Sequence, residues 1–156
     1  MIGGNMGDRM ANLNKAINYL EQTIGPIQKK SSVYETAAWG NTNQPSFLNQ
    51  AILLESSFNA NQIMHLLLAI ESKMGRVRTE NMGPRTIDLD IIYFNNEVIS
   101  NNLITIPHPK IFDRKFVLMP LVEIDPNFIH PVLNKSNTLL LKECGDSLAV
   151  YKKRDF

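Results

Sequence analysis

The stretch of residues 87–94 restricts the possible folds more than any other part of the sequence. It is mostly apolar and predicts a β-strand, in which two aspartates, Asp88 and Asp90, stand at alternate positions. Since successive side chains of a strand point to opposite faces, the two aspartates share one face, with Cα atoms about 6.5–7 Å apart. Leu89 and Ile91 point to the other face. The pattern therefore predicts a sheet that presents two neighbouring carboxylates on one side.

Two amphipathic helices are predicted upstream of this strand. Asp8 is a candidate N-cap of the first helix and Asn59 of the second, because their side chains can accept hydrogen bonds from the free N–H groups of a first turn. Glycine ends each pattern, at Gly25 and at Gly75. The apolar stripes at helical spacing are Leu13, Ala16, Ile17, Leu20 and Ile24 in the first helix and Ile63, Leu66, Leu67, Ile70 and Met74 in the second.

The order of the elements indicates the fold class. The other predicted elements are strands at residues 28–35, 47–55, 97–99 and 104–106 and a third helix from residue 114 to 122 or 124, kinked at Pro120. Two long polar loops cover residues 36–46 and 76–86, and long loops in compact domains are often functional. Strands with short connections and flanking helices favour an α+β fold: a ferredoxin-like antiparallel sheet with helices on both faces, a three-layer α/β/α sandwich.

Length and composition predict one globular domain over residues 1–156. The formal net charge is +1 and 44% of the residues are hydrophobic, which excludes a disordered chain. The near-neutral charge argues against a general nucleic-acid or membrane-surface binder. The single cysteine, Cys144, cannot form an internal disulfide, and neither an apolar run of about 20 residues nor a signal peptide is recognisable. We expect a cytoplasmic monomer.

The two aspartates of the predicted strand are candidate metal ligands. Neighbouring carboxylates raise each other's pKa unless a cation lies between them, and Mg²⁺ binds through one or two carboxylates plus waters and substrate phosphates. Arg76, Arg78 and Arg85 lie on the preceding loop, where guanidinium groups can bind phosphates. This combination indicates phosphoryl transfer. The alternative is that Asp88 and Asp90 line the solvent face of an edge strand and that the arginines form a solvated basic loop.

Common nucleotide-binding motifs are absent from the sequence. It contains no G-x-x-x-x-G-K-[ST] string and no H-R-D or D-F-G set, which excludes a P-loop and a protein-kinase core. The glycines of residues 3–7 lack the G-x-G-x-x-G spacing of a dinucleotide-binding loop. A phosphate-binding protein with this sequence must therefore use another scaffold.

A series of longer motifs extends over nearly the whole chain. They are Gly3-Gly4-Asn5 with Gly7-Asp8-Arg9, Ser32-x-Tyr34-x-Thr36, Gln44-Pro45-x-Phe47-Leu48-Asn49, Glu71-x-x-x-Gly75-Arg76-x-Arg78, Gly83-Pro84-Arg85-Thr86-Ile87-Asp88-Leu89-Asp90, Pro107-His108-Pro109 and Arg114-x-Phe116-Val117-Leu118-x-Pro120-Leu121. In these motifs the chain resembles the 6-hydroxymethyl-7,8-dihydropterin pyrophosphokinase (HPPK) family of folate biosynthesis. The string that ends at Asp90 is the most specific of them.

The resemblance implies transfer of the terminal pyrophosphoryl unit of ATP to the hydroxymethyl oxygen of the pterin, with release of AMP. It implies that Asp88 and Asp90 hold two Mg²⁺ ions and that Arg76 and Arg85 balance the charge of the transferring phosphates, these four being the catalytic residues. The positions similar to the family's ATP-binding residues are Glu71, Arg78, Arg85, Ile91, Thr105, His108 and Arg114. Taken alone, Glu71 could be a helix-surface carboxylate and His108 a turn residue.

The resemblance also implies a pterin site. Its residues would be Thr36, Ala37, Trp39, Phe47, Asn49 and Phe116. Phe47 and Phe116 would stack on the flat heterocycle and Asn49 would bind its polar edge, although either phenylalanine taken alone is more often a core residue. Three loops are implied to close over the substrates and exclude water, at residues 5–9, 36–46 and 76–86.

The chain departs from the family's pattern in three places. Many members have an aromatic residue, usually Trp, and before it a basic residue where this chain has Met82 and Asn81. Trp39 is bulkier than the leucine that is common at its position. The family has several strand residues before the Gly-Gly-Asn motif, where this chain has Met1 and Ile2, so the first strand looks truncated and we expect upstream residues in the native protein.

Two other functions stay open. A D-x-D metal-dependent nucleotidyltransferase would transfer a nucleotide and release pyrophosphate. A ferredoxin-like nucleic-acid binder would bind phosphates through the arginines, but it needs a broad basic face and exposed aromatics, and the net charge of +1 argues against it. We therefore expect small-molecule substrates as partners, and neither nucleic acid nor a membrane.

Overall fold

The computed structural model describes residues 1–38, 40–78 and 82–154, so that Trp39 and Asn81 lie outside the described residues. The strands are β1 (Ile2–Gly4), β2 (Ile27–Lys30), β3 (Tyr34–Thr36), β4 (Phe47–Gln50), β5 (Ile52–Leu54), β6 (Asp88–Leu89), β7 (Ile99–Ser100), β8 (Thr105–Ile106) and β9 (Val150–Lys152). The helices are α1 (Arg9–Thr23), α2 (Ala60–Lys73), α3 (Lys115–Ile124) and α4 (Asn137–Glu143). β7 and β8 pair as a separate hairpin. They overlap the strands predicted at residues 97–99 and 104–106.

The main sheet has the strand order β6-β1-β4-β3-β9, and its strands pair antiparallel. Gly3 of β1 lies opposite Asp88 of β6 on one side and opposite Asn49 of β4 on the other. Side chains that lie directly opposite across a ladder point to the same face. One face of the sheet therefore carries Asp88 and Asn49 on either side of a glycine.

Helices cover both faces of this sheet, which confirms the predicted α+β sandwich. α1 and α2 pack on one face, where the buried cluster includes Leu13, Leu20, Ile63, Ile70, Leu48 and Leu89. α3 packs on the other face in a second buried cluster, which includes Val117, Leu118, Leu121, Ala51, Ile92 and Leu140 of α4. The apolar stripes of the first two helices are thus used as predicted.

The three predicted helices are confirmed together with their ends. The Asp8 side chain caps α1, and Asn59 forms a capping box with Gln62 at the start of α2. α3 follows Arg114 and contains Pro120. In the part of the chain that the structure describes, no helix combines the length and the apolar character that crossing a membrane requires.

Residues 28–35 and 47–55, each predicted as one strand, are each divided into two strands. The β3–β4 ladder belongs to the main sheet, whereas β2 and β5 form a separate two-stranded sheet. At the junction the Ala51 N–H donates to Ser31 Oγ over 2.9 Å, and Gln50 Nε2 donates to the Ser31 carbonyl over 2.6 Å. The Ser31 N–H still donates to the Ala51 carbonyl over 3.0 Å, so side-chain and backbone hydrogen bonds are mixed where the regular ladder is interrupted. The apolar pattern gives no sign of the side-chain bonds.

The strand predicted at residues 87–94 is much shorter in the structure, where only Asp88–Leu89 is assigned to β6. The Met1 nitrogen donates to the Asp90 carbonyl over 2.9 Å, and the Asp90 N–H donates back over 3.0 Å. Residues 91–94 belong to no strand in the described part of the chain, although the sequence stays apolar.

An apolar cavity of about 460 Å³ lies beside this end of the ladder, and residues 51–56 and 90–95 line two of its sides. These two segments continue the strands that flank β1. The expectation of strand residues upstream of Met1 stays a prediction, as does the assignment of residues 1–156 to one domain.

Candidate active site

A cleft opens on the sheet face opposite α1 and α2. The β-strand residues of that face line its base, and Phe116 and Val117 of α3 line one side. The predicted site residues found in its lining are Thr36, Ala37, Phe47, Asn49, Arg85, Asp88, Asp90, His108, Arg114 and Phe116. Residues predicted separately for pterin, ATP and metal binding therefore meet around one cleft.

Of the predicted site residues that the structure describes, five are not found in this lining: Ile91, Thr105, Glu71, Arg76 and Arg78. Ile91 packs against apolar clusters that include residues of α1 and α2, away from the cleft. Thr105 is exposed on β8. Trp39 lies outside the described residues. The roles predicted for these residues stay predictions.

Glu71 and Arg76 lie behind the cleft and are connected to Asp88. Arg76 Nη1 lies 2.7 Å from Glu71 Oε1 and 2.6 Å from Asp88 Oδ1. Glu71 Oε1 also accepts a hydrogen bond of 2.8 Å from the Leu89 N–H. Burial raises the pKa of Glu71, although Arg76 and the Leu89 N–H oppose this shift. Burial by itself lowers the pKa of Arg76, but the negative charges of Asp88 and Glu71 outweigh it and raise that pKa.

Arg78 is attached to the same buried carboxylate from outside. Its Nη2 lies 3.1 Å from Glu71 Oε2, and its side chain is 64% exposed, so most of the guanidinium is open to solvent. Exposed ion pairs of this kind contribute little to stability. Arg78 is therefore available for a ligand at the rim of the site.

Arg85 contacts both the acidic and the aromatic part of the cleft. Its Nε lies 3.2 Å from Asp88 Oδ2, and its Cζ lies 5.0 Å from the centre of the Phe47 ring. The backbone of Arg85 is fixed by Asn5, whose Oδ1 accepts from the Arg85 N–H over 2.9 Å. The guanidinium thus lies between the carboxylate and the ring that the sequence assigned to different substrates.

Asp90 lines the cleft next to Asp88, His108 and Arg114. Burial and the charge of Asp88 raise its pKa, while His108 and Arg114 act in the opposite direction. Burial lowers the pKa of His108, and its Nδ1 accepts a hydrogen bond of 3.1 Å from the Lys110 N–H. A neutral His108 therefore carries its proton on Nε2 and can donate it to a ligand.

The chemistry of these donors fits a hard cation. Asp88 and Asp90 supply carboxylate oxygens to one cleft. Burial and, after it, the like charge of Asp88 raise the pKa of Asp90, and a cation between the two carboxylates would relieve the repulsion between them. Among the described residues, no three His, Cys, Asp or Glu side chains lie close enough together to hold a metal ion by themselves. A site with two carboxylates leaves the other positions to water and substrate, as is usual for Mg²⁺.

The aromatic part of the cleft has a rigid base. Phe47 is 8% exposed on β4, and Phe116 of α3 lies across the cleft from it with the Arg114 Cζ 5.9 Å from its ring centre. Asn49 is buried in the lining of the same cleft, and its Nδ2 has no hydrogen-bond partner among the described residues. A Cβ at Gly3 would lie 2.4 Å from Asn49 Oδ1, which explains why a glycine stands opposite Asn49.

Two site residues received no role from the sequence, although both belong to motifs quoted above. Asn5 is 3% exposed and bonds to Arg85. Gln44 bonds to Asn5 and to the Met82 carbonyl, over 3.0 and 2.9 Å. The only sequence signal for the two residues is that a polar side chain stands in a glycine-rich or a proline-rich motif. That signal does not indicate which residues they bond to.

Comparisons with known proteins identify the family of the chain. The family model described as 7,8-dihydro-6-hydroxymethylpterin-pyrophosphokinase (HPPK) matches residues 1–126. The 2-amino-4-hydroxy-6-hydroxymethyldihydropteridine pyrophosphokinase of Aquifex aeolicus is 40% identical over 86% of this chain and 83% of its own length. The Bacillus subtilis protein of the same name is 42% identical over 79% of this chain and 74% of its own length.

Solved structures show the same fold. An HPPK-DHPS protein in complex with substrates superposes with a TM-score of 0.72 at 15% identity, over 90% of this chain and 42% of that one. HPPK-DHPS of Plasmodium falciparum, crystallised with SDX-DHP, gives a TM-score of 0.70 at 15% identity, over 91% of this chain and 42% of its own. From the extent of the family match and the identity to its members, the chain belongs to the 7,8-dihydro-6-hydroxymethylpterin-pyrophosphokinase (HPPK) family.

Proposed function

We propose that this protein transfers the terminal pyrophosphoryl unit of ATP to 6-hydroxymethyl-7,8-dihydropterin, in folate biosynthesis, and releases AMP. The observation that carries the proposal is that Asp88 and Asp90 share one cleft with Phe47 and Phe116. ATP needs acidic ligands for the cation on its phosphates, and the pterin needs aromatic rings for its flat heterocycle. The cleft offers both kinds of side chain, so the two substrates can bind next to each other. The names of the relatives support the same reaction.

The pterin binds in the aromatic part of the cleft. Phe47 and Phe116 stack on its faces, because an offset arrangement of flat rings in an apolar slot is favourable. Asn49 binds its polar edge, which would satisfy the buried Nδ2 that has no partner in the structure. Thr36 and Ala37 complete the lining on the β3 side.

The phosphates of ATP bind among the basic side chains of the cleft. Arg85 balances the charge of the transferring group and Arg76 supports it from behind Asp88, since guanidinium groups stay charged and bind phosphate oxygens in pairs. His108 and Arg114 face the same region and act as donors to the nucleotide. Little covalent chemistry is left to the protein, because phosphoryl transfer depends mainly on positioning and charge.

Asp88 and Asp90 are the residues that would hold Mg²⁺, and two ions are proposed. When bound, the ions would neutralise charge on the phosphates. In the described structure both oxygens of Asp88 face arginines, Oδ1 toward Arg76 and Oδ2 toward Arg85. These arginines hold the carboxylate in the cleft.

The test is the identity of the nucleotide product. Purified protein with ATP, Mg²⁺ and 6-hydroxymethyl-7,8-dihydropterin is expected to form AMP only when the pterin is present. Asp90→Asn is expected to reduce the rate by a factor of about 1,000 or more, because one cation ligand and its charge are lost. Asp113→Asn serves as the matched control, since Asp113 does not line the cleft.

Other products would overturn the proposal. ADP would indicate transfer of a single phosphoryl group, and release of pyrophosphate would indicate the nucleotidyltransferase alternative. Equal rates for Asp90→Asn and Asp113→Asn would remove the acidic pair from the mechanism.

We further propose that the protein acts as a cytoplasmic monomer on small molecules and not on nucleic acid. The net charge of +1 and the single cysteine support this view. Gel filtration with light scattering is expected to give a mass near 17.7 kDa. A dimer that persists on dilution would refute the monomer.

A further inference from the structure

We propose that Gln44 is a positioning residue that holds residues 82–85 in place and thereby orients the Arg85 guanidinium in the cleft. The inference deepens the proposed function and rests on it, because the orientation of Arg85 matters for catalysis only if this residue acts on the transferring phosphates. Gln44 itself does not line the cleft, so it would act through its neighbours.

The amide of Gln44 joins three segments of the chain. Its Nε2 donates to the Met82 carbonyl and to the Asn41 carbonyl, each over 2.9 Å. Its Oε1 accepts from Asn5 Nδ2 over 3.0 Å. A primary amide offers two donors and one acceptor oxygen, and here both kinds of group are used. Gln44 therefore connects the loop that contains it with the loop before Asp88 and with the end of β1.

Asn5 forms hydrogen bonds with both Gln44 and Arg85 and so links these two residues. Its side chain is buried and donates to Gln44 and to the Pro45 carbonyl. Its Oδ1 accepts from the Arg85 N–H over 2.9 Å, and its own N–H donates to the Arg85 carbonyl over 3.0 Å. Segment 82–85 is thus held at both ends, at Met82 by Gln44 directly and at Arg85 through Asn5.

Met82 needs such support because its backbone is strained. Its φ is +59°, and a non-glycine residue in this region costs about 1–3 kcal/mol unless its surroundings hold it there. The side chain of Met82 packs on Gly40, where an added Cβ would lie 2.5 Å from Met82 Cε. The hydrogen bond from Gln44 and the packing on Gly40 are two contacts that maintain this conformation.

Arg85 would lose its orientation without this support. Its guanidinium bridges Asp88 and the Phe47 ring, and both of these belong to the rigid sheet. The backbone of Arg85 belongs to a loop, so a small shift of segment 82–85 moves the guanidinium relative to fixed partners. Displacements of about 1 Å at a reacting group can reduce the rate about 100-fold.

The test uses Gln44→Glu, which replaces the donating NH₂ group by an oxygen of nearly the same size. The variant keeps an acceptor for Asn5, but it sets a carboxylate oxygen against the Met82 and Asn41 carbonyls. Asn43→Asp is the matched control, because it makes the same chemical change on the neighbouring exposed residue. Both variants are then combined with Arg85→Lys, which keeps the charge and loses the planar fork.

We expect Gln44→Glu to lower kcat about tenfold or more, since two hydrogen bonds are lost, and to change the KM for the pterin less than about twofold. In the Arg85→Lys background the further loss should be less than about twofold, because the two residues act as one unit. Amide hydrogen exchange at Gly83 and Arg85 should be faster in Gln44→Glu without substrates. Asn43→Asp should behave as wild type in each measurement.

Two outcomes would overturn the inference. Full additivity of Gln44→Glu and Arg85→Lys would mean that Gln44 does not act through Arg85. Unchanged hydrogen exchange at residues 83–85 would mean that Gln44 does not hold this segment. If wild-type protein forms no pterin-dependent AMP, the proposed function fails, whereas hydrogen exchange still decides whether Gln44 restrains the loop.

Discussion

At the scale of single residues, the site depends on charges that alternate through the protein. Glu71, Arg76, Asp88 and Arg85 form a continuous series of ion pairs from α2 to the cleft. Each buried charge has an opposite neighbour, which is the condition under which buried charges are tolerated. Glu71 is 3% exposed. If its charge is removed, water can hardly reach the site to take the place of the partner that Arg76 has lost.

Glu71→Gln is expected to destabilise the fold. The neutral side chain can still accept from the Leu89 N–H, but the half-buried Arg76 loses one of its two carboxylates. We expect a loss somewhat below the value of about 3 kcal/mol that breaking a fully buried pair costs. Urea unfolding at neutral pH measures the change. Glu21→Gln on the exposed side of α1 is the control and should leave the unfolding midpoint unchanged. Equal midpoints for the two variants would contradict this account of Glu71.

At the scale of elements, hydrogen bonds that cross between elements decide which apolar stretches become strands. The helices could be predicted because cap, stripe and stop residues are local signals, as Asp8 and Asn59 illustrate. The strands could be located but not delimited, since pairing depends on a partner far along the chain. Ser31 divides one predicted strand through its bond to Ala51, and no neighbour in sequence reveals this bond.

Glu123 connects α3 to the sheet through hydrogen bonds and an ion pair. Its carboxylate accepts from the Ser32 N–H and Oγ over 3.0 and 2.8 Å and from the Tyr34 hydroxyl. Lys152 of β9 lies 3.4 Å from the same carboxylate. Although burial alone would raise the pKa of Glu123, these hydrogen bonds outweigh it and hold that pKa below the ordinary value of 4.5. The ionised form therefore belongs to the folded state.

This contact makes stability depend on pH. Because the pKa of Glu123 is lower in the folded state, its contribution is complete above the ordinary value of 4.5 and is lost as pH falls through the lowered value. Glu123→Gln is expected to reduce the free energy of unfolding by about 1–2 kcal/mol at pH 7, and the difference from wild type should shrink below pH 4.5. Urea unfolding at a series of pH values tests this, with exposed Glu97→Gln as control. A difference that stays constant down to low pH would refute the linkage.

At the scale of the whole molecule, the sheet is the common support of both halves of the site. Asp88 and Asn49 flank Gly3 in one row across three strands, although they are far apart in sequence. Helices α1 and α2 bury the opposite face of the sheet. A cavity of about 460 Å³ lies beside the end of β1, and residues 51–56 and 90–95 line an apolar space there.

Filling this cavity is expected to stabilise the protein. An extension of six alternately apolar residues before Met1 can continue β1 between residues 51–56 and 90–95, because the existing register leads into the space. We expect Tm to rise by about 5 °C or more, as burial of several apolar side chains adds a few kcal/mol. A Gly/Ser extension of equal length is the control. Equal Tm values for both extensions would show that the space does not accept a strand.

The sequence by itself determined α1, α2 and α3, the α+β class, the shared face of Asp88 and Asp90, and the resemblance that named the substrates, whereas α4 was not predicted. These features follow from local periodicity and from side-chain types in short strings. Only the tertiary structure decided where strands stop, which residues reach Asp88 from behind, and how Gln44 and Asn5 hold Arg85. Those outcomes depend on contacts between segments about 12 to 90 residues apart, such as Arg76 with Asp88, Gln44 with Met82 or Met1 with Asp90, whose energies no local pattern encodes.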